Sequence, residues 1–240
     1  MPPKSPVLQF FERHYKPMQI KGKNKSVITA LKIETEKRNP DEKKLARLYS
    51  KLAHFQNSLQ PPDFLEHQVK QLLSLAKFQS ADNIASIGSG AGMTEAFLAK
   101  NAIPNGAMTC IDFVHGMSKR AKATKAMESA RNMRVITASG ARLPLKSGTQ
   151  DFVIAIQSNM PNTSLWGNVL GEARRVLKNT KRARLIFTIL PPEKKKEEQL
   201  SGALAELRQN GFQPEVAIRY GGIAKYHAIM IVSKPTTIFG

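Results

Sequence analysis

From Ile84 to Lys100 the chain reads IASIGSGAGMTEAFLAK, and residue types in this pattern suit a nucleotide-like ligand. Gly88, Gly90 and Gly92 fall on alternate positions. Lacking Cβ atoms, such glycines let the backbone turn tightly and approach a ligand closely. A helix starting directly after them aims its N-terminal N–H groups and positive dipole end at the same spot. Asp112 follows about twenty residues later, near the close of GAMTCIDF, at the spacing where such folds set an acid on a ribose hydroxyl. The glycines read GxGxG. Residue 93 is Met, so the dinucleotide pattern GxGxxG is not met, and no Gly-Lys-Ser/Thr follows as a P-loop requires. Plain chain reversal is the competing role for such a turn.

These residues need a strand, a turn and a helix to hold them. Ile84, Ala85 and Ile87 form a short apolar run, and Met93 to Lys100 resumes with helix formers at helical spacing. Gly106 to Phe113 predicts a second strand, Val135 to Thr137 a third, and the apolar Asp151 to Ile156 a fourth, buried in a parallel sheet. Ala183 to Leu190 gives a fifth strand. Phe212 to Arg219 and His227 to Lys234 then give two strands joined at Gly221-Gly222. Helices are expected over His115 to Arg134, Leu170 to Leu177 and Leu200 to Arg208, with upstream helices opened by Pro40-Asp41-Glu42 and Pro61-Pro62-Asp63. Val27 to Ile33 suits either a strand or a helix. Ligands of open α/β sheets bind outside the carboxyl ends of the strands, so Gln157, Ser158 and Asn159 are the best-placed polar residues after the fourth strand.

The chain has 240 residues, 41% of them hydrophobic, enough for one sizeable core with an appendage. Its formal net charge of +19 favours polyanionic partners, whether RNA, DNA, ribosomes or anionic membrane surfaces, and charge alone does not choose among them. The basic Lys119, Arg120, Lys122, Lys125, Arg131 and Arg134, with Lys181, Arg182, Arg184 and Lys194 to Lys196, would make a phosphate track if the fold gathers them. Near the N-terminus, Lys21, Lys23 and Lys25 with Phe10, Phe11 and Tyr15 suit an arm that touches phosphates and stacks on bases, or one whose aromatics tuck onto the core. A single Cys110 excludes an intrachain disulfide and a multi-cysteine zinc site, and fits a reducing, cytoplasmic setting. No apolar stretch predicts a membrane span, and the Lys-rich, acid-poor start leaves an organelle transit peptide open. The lone Trp166 is expected to pack.

From Asn83 onward the chain resembles the class I S-adenosylmethionine-dependent methyltransferases, on IASIGSGAG, CIDF, VITASGARLPLKSGTQDFVIA and LGEARRVLKNTKRARLIFTIL. The resemblance implies a three-layer α/β/α Rossmann-like fold, with a mostly parallel sheet and an antiparallel C-terminal strand. Residues 81–240 would be the cofactor-binding domain and 1–80 a basic, largely helical extension. It also implies S-adenosylmethionine as cofactor, its methionine part on Gly88, Gly90 and Gly92, its ribose on Asp112, and its adenine against Phe113 near Ser139 and Gly140. Ser86 and Ser139 stand where the family usually carries acids. Serine still bonds but brings no charge, and losing a carboxylate's hydrogen bond beside a cationic cofactor costs on the order of 1–3 kcal/mol. The expected site comprises Ser86, Gly88, Gly90, Gly92, Asp112, Phe113, Ser139, Gly140 and Gln157 for the cofactor, and Ser158 and Asn159 for substrate. No metal and no dedicated base are expected. The expected reaction is in-line methyl transfer to RNA, ribosomal RNA included. A small-molecule or protein acceptor, and a catalytically inactive RNA- or ribosome-binding scaffold, are the alternatives.

Overall fold

Strand β1 (Asn83–Ile87) has both faces covered: Ile84 joins one apolar cluster, Ala85 and Ile87 the other, because successive strand side chains point to opposite sides. β4 (Phe152–Ala155) divides in the same way, Phe152 and Ile154 against Val153 and Ala155. Strands buried on both faces must read as unbroken apolar runs, and these do. In this computed structural model the described residues are 4–15, 26–27, 29–30, 33–34, 41–52, 61–156, 165–189, 191, 195–221 and 227–236.

With β2 (Ala107–Asp112), β3 (Met133–Thr137), β5 (Arg184–Ile189), β6 (Phe212–Gly221) and β7 (His227–Pro235), these strands form one seven-stranded sheet ordered β3-β2-β1-β4-β5-β7-β6. β7 runs antiparallel to both β5 and β6, and the other pairings are parallel. The strand order reverses between β1 and β4, which opens a crevice at their carboxyl ends.

Helices cover both faces. On one side lie α1 (Pro6–His14), α3 (Pro62–Ala76) and α4 (Met93–Asn101), contributing Phe10, Phe64, Leu72, Phe97 and Leu98 to the first cluster. On the other lie α6 (Trp166–Val176) and α7 (Lys196–Gln209), contributing Trp166, Leu170 and Leu207 to the second. α2 (Glu42–Leu52) rests on α5 (His115–Met127), where Ala46 and Tyr49 pack on Val114 and Met117. The fold is therefore the expected three-layer α/β arrangement.

Several local expectations change. Phe10 and Phe11 are 3% and 1% exposed and meet the Phe97 ring at centroid distances of 5.3 and 6.3 Å. They belong to the core and cannot stack on bases. α5 stops at Met127, short of Arg134: Ser129 turns left-handed at φ 52°. The Asn132 amide then donates to the carbonyls of Ala99, Ile103 and Gly106. Arg131 thus lies in a turn and Arg134 on β3. In the 26–34 stretch the described residues are helical. Trp166 packs as expected, buried with its ring 5.0 Å from that of Phe187.

Candidate functional site

The glycine turn joins the end of β1 to the start of α4, and all three glycines are left-handed, with φ of 69° at Gly88, 54° at Gly90 and 72° at Gly92. At Gly92 a side chain would be strained and would meet Met133 Cε at 2.7 Å and the Ala121 backbone at 3.3 Å. The turn is tied to the carboxyl end of β2. The N–H of Gly88 donates to the Ile111 carbonyl at 2.8 Å, and the Gly90 N–H donates to Asp112 Oδ2 at 2.9 Å. Asp112 Oδ1 accepts this carboxylate's second N–H, from Val114, at 2.8 Å. The turn and Asp112 are therefore one unit.

Asp112 is only 7% exposed. Burial raises its carboxyl above the ordinary range, and the N–H groups of Val114 and Gly90 pull the other way. Each carboxylate oxygen has two lone-pair sites, so both keep capacity for a hydroxyl donor. Phe113 beside it is 38% exposed, an apolar face left open next to a buried acid. The end of β3 completes this side: the Ala138 N–H donates to the Asp112 carbonyl at 3.1 Å, and exposed Ser139 and buried Gly140 open the turn that follows. Gln157, Ser158 and Asn159 lie outside the described residues.

Two neighbours carry no sequence signal for this site. Period-two alternation turns Ser86 to the face that α4 covers, where its hydroxyl donates to Glu95 Oε1 at 2.7 Å. Ser86 and Glu95 are 1% and 3% exposed. Burial lifts the Glu95 carboxyl to about 7 despite the Ser86 hydroxyl and the residue's own N–H, and the charge of Asp112 adds to the rise. Tyr49, from α2, is the second. Burial first, then the charge of Asp112, pushes its phenol up to about 12. Glu95 in a first helical turn reads as ordinary dipole complementarity, and no motif marks Tyr49.

Three described basic residues pair with acids away from this unit, and Lys21, Lys23, Lys25 and Lys194 lie outside the described residues. Arg182 donates to both oxygens of Asp82 at 3.0 and 3.1 Å, Arg184 pairs with Glu215 at 2.5 Å, and Lys178 pairs with Asp151 at 2.8 Å. These pairs sit beside the amino ends of β1, β4 and β5, opposite the turn. Lys119 and Lys122 are exposed on α5, the helix that follows Asp112. Among the described residues no group of three or more His, Cys, Asp or Glu could hold a metal ion, and no helix is long and apolar enough to cross a membrane.

Residues 84–180 match a family described as a methyltransferase domain. A S-adenosylmethionine-dependent methyltransferase from Aquifex aeolicus superposes with a TM-score of 0.63 at 20% identity, over 75% of this chain and 97% of that one. By that match residues 84–180 carry a methyltransferase domain, and the superposition shows that the chain has the fold of such domains. A malonyl-[acyl-carrier protein] O-methyltransferase of Geobacter sulfurreducens is 32% identical over 111 residues, and the match spans 45% of this chain but only 40% of that relative. The [4+2]-cyclase SpnF superposes with a TM-score of 0.68 at 15% identity, over 83% of this chain and 98% of that one. A methyltransferase domain's fold thus does not by itself decide its chemistry.

Family and fold imply S-adenosylmethionine as cofactor. The donor set fits it: a left-handed glycine turn, a buried acid with spare acceptor sites, and an exposed phenylalanine for a flat ring. The Ser89 hydroxyl, in the same turn, is buried without a hydrogen-bond partner among the described residues.

Proposed function

We propose that this protein transfers a methyl group from S-adenosylmethionine to RNA. The observation that carries the cofactor half is the hydrogen bond from Gly90 N–H to Asp112, which locks the turn and the acid into one cradle. In this reading Gly88, Gly90 and Gly92 give the cofactor's methionine end a close backbone surface, and Asp112 accepts from the ribose hydroxyls. Phe113 backs the adenine beside Ser139 and Gly140. When bound, S-adenosylmethionine would supply an electrophilic methyl on sulfur, open to in-line attack by the acceptor with S-adenosylhomocysteine as the leaving group. The protein's task is then alignment at near-attack distance, which needs no dedicated base.

The net charge of +19 and the exposed Lys119 and Lys122 on the helix after Asp112 support RNA as acceptor. Residues 1–80 are read as a helical cap on the domain, and a cytoplasmic setting fits the one buried cysteine. A protein or small-molecule acceptor is the second reading, favoured by the relative named for malonyl-[acyl-carrier protein].

Both halves are tested by calorimetry with S-adenosylmethionine, followed by transfer of labelled methyl to total RNA over a salt series. Saturable heat and labelled RNA, with RNA affinity falling linearly in log salt, are expected. Heat with label only in protein or small acids overturns the RNA acceptor. No heat overturns the cofactor reading and leaves a scaffold.

A further inference from the structure

Among the described residues six acids are buried: Glu34, Asp82, Glu95, Asp112, Glu128 and Asp151. Four have a cation within ion-pair distance: Glu34 has Lys44, Asp82 has Arg182, Glu128 has Lys100 and Asp151 has Lys178. Glu95 and Asp112 have none among the described residues, and both border the glycine turn. A buried carboxylate without a counter-ion is costly unless something else answers its charge. Asp112 has two backbone N–H donors for this, one on each oxygen. The donors recorded at Glu95 are one hydroxyl, on Oε1, and its own N–H. The glycine turn keeps a buried Ser89 hydroxyl with no partner among the described residues.

We infer that Glu95 is the counter-charge for the ammonium group of the bound cofactor, acting from beneath the glycine turn with Ser86 holding its carboxylate in place. The inference rests on the cofactor reading above. Ser86 then serves as a positioning residue: its hydroxyl keeps one oxygen of Glu95 on the strand side of α4. A negative charge screened from water acts over several ångströms with far more force than an exposed one, so Glu95 need not touch the ligand.

The titratable groups around Glu95 are Asp112 and Cys110 on β2, whose charges interact with it, and Lys125 on α5, whose charge reaches Cys110. Arg134 stands exposed on β3, and on α1 Glu12 is tied to Lys4 while Arg13 lies over the Phe10 ring. Burial holds the Cys110 thiol well above its ordinary value, so it stays neutral. A raised carboxyl at Glu95 means that cation binding should expel a proton near neutral pH.

The test compares wild type, Glu95→Gln and Ser86→Ala by calorimetry with S-adenosylmethionine, S-adenosylhomocysteine and adenosine. S-adenosylhomocysteine keeps the ammonium and lacks the sulfonium, and adenosine has neither. Glu95→Gln should weaken the first two ligands alike, by about ten- to a hundredfold, and leave adenosine unchanged. Ser86→Ala should do the same to a lesser degree. Wild-type affinity for S-adenosylmethionine should fall as pH drops through about 7, and that of Glu95→Gln should not. Loss on S-adenosylmethionine alone assigns the charge to the sulfonium and overturns the inference; equal loss on adenosine makes Glu95 structural and also overturns it. Wild-type binding unchanged in Glu95→Gln removes this inference but keeps the cofactor reading, whereas no wild-type binding removes both. If Glu95→Gln does not fold, Glu95→Asp replaces it, with the same ligand pattern expected at smaller size.

Discussion

The two ends of the parallel sheet treat buried acids in opposite ways. At the amino ends, Asp82 before β1 and Asp151 before β4 are each clamped by a cation at ordinary hydrogen-bond distance, Arg182 at 3.0 Å and Lys178 at 2.8 Å. Glu128, past the end of α5, has Lys100 at 3.0 Å. At the carboxyl ends, Asp112 and Glu95 have no cation among the described residues, and both carboxyls are raised by burial. One end is internally balanced and serves stability. The other holds negative charge in reserve, the condition under which a ligand can supply what the fold leaves out.

The largest effect should come from Asp112→Ala. It removes the acceptor for the N–H groups of Gly90 and Val114, at about 1–3 kcal/mol each if they stay buried, and calorimetry should find cofactor affinity reduced by more than about a hundredfold. Retained affinity would break the contrast at its centre.

Glu95→Gln should act next, and its sign depends on pH. The folded carboxyl is raised to about 7 from 4.5, so its favourable contribution is fully present below the unfolded value and is lost as pH rises through about 7. The shift corresponds to about 3 kcal/mol. Urea denaturation of the ligand-free protein should therefore show the variant gaining on wild type between pH 5 and pH 8. Parallel pH profiles would mean that the Glu95 charge is already balanced.

Gly92→Ala should cost about 1–2 kcal/mol of stability, from the positive φ together with the close approach to Met133 and Ala121. At the balanced end, Arg182→Ala should cost least, about 1 kcal/mol, because the guanidinium is 41% exposed. Asp82 keeps the Gln79 N–H at 2.7 Å. Thermal melts should register that loss while cofactor affinity stays unchanged; a drop in affinity would show that the two ends are coupled.

The strand–turn–helix at Ile84 to Lys100 was legible because each step is local: an apolar run, glycines at alternate positions, then helix formers. Asp112 was legible by distance along the chain, and the closing antiparallel pair by its two β-patterned runs. The end of α5 was missed because Lys and Arg continue a helical pattern through Arg134, whereas the chain turns left-handed at Ser129 and Asn132 then holds the next stretch by reaching carbonyls at the end of α4 and in the loop before β2. Arg182 and Arg184 read as free charge, since their partners Asp82 and Glu215 are distant in sequence.

By itself, then, the sequence determined the order of elements, the glycine turn and the acid facing it, all set by short-range periodicity and backbone freedom. Only the tertiary structure decided which charges cancel. Ser86 and Glu95 meet because strand alternation and the packing of α4 bring a hydroxyl and a carboxylate together across nine positions of sequence. Burial then changes the properties of that carboxylate, through a desolvation that no residue pattern encodes.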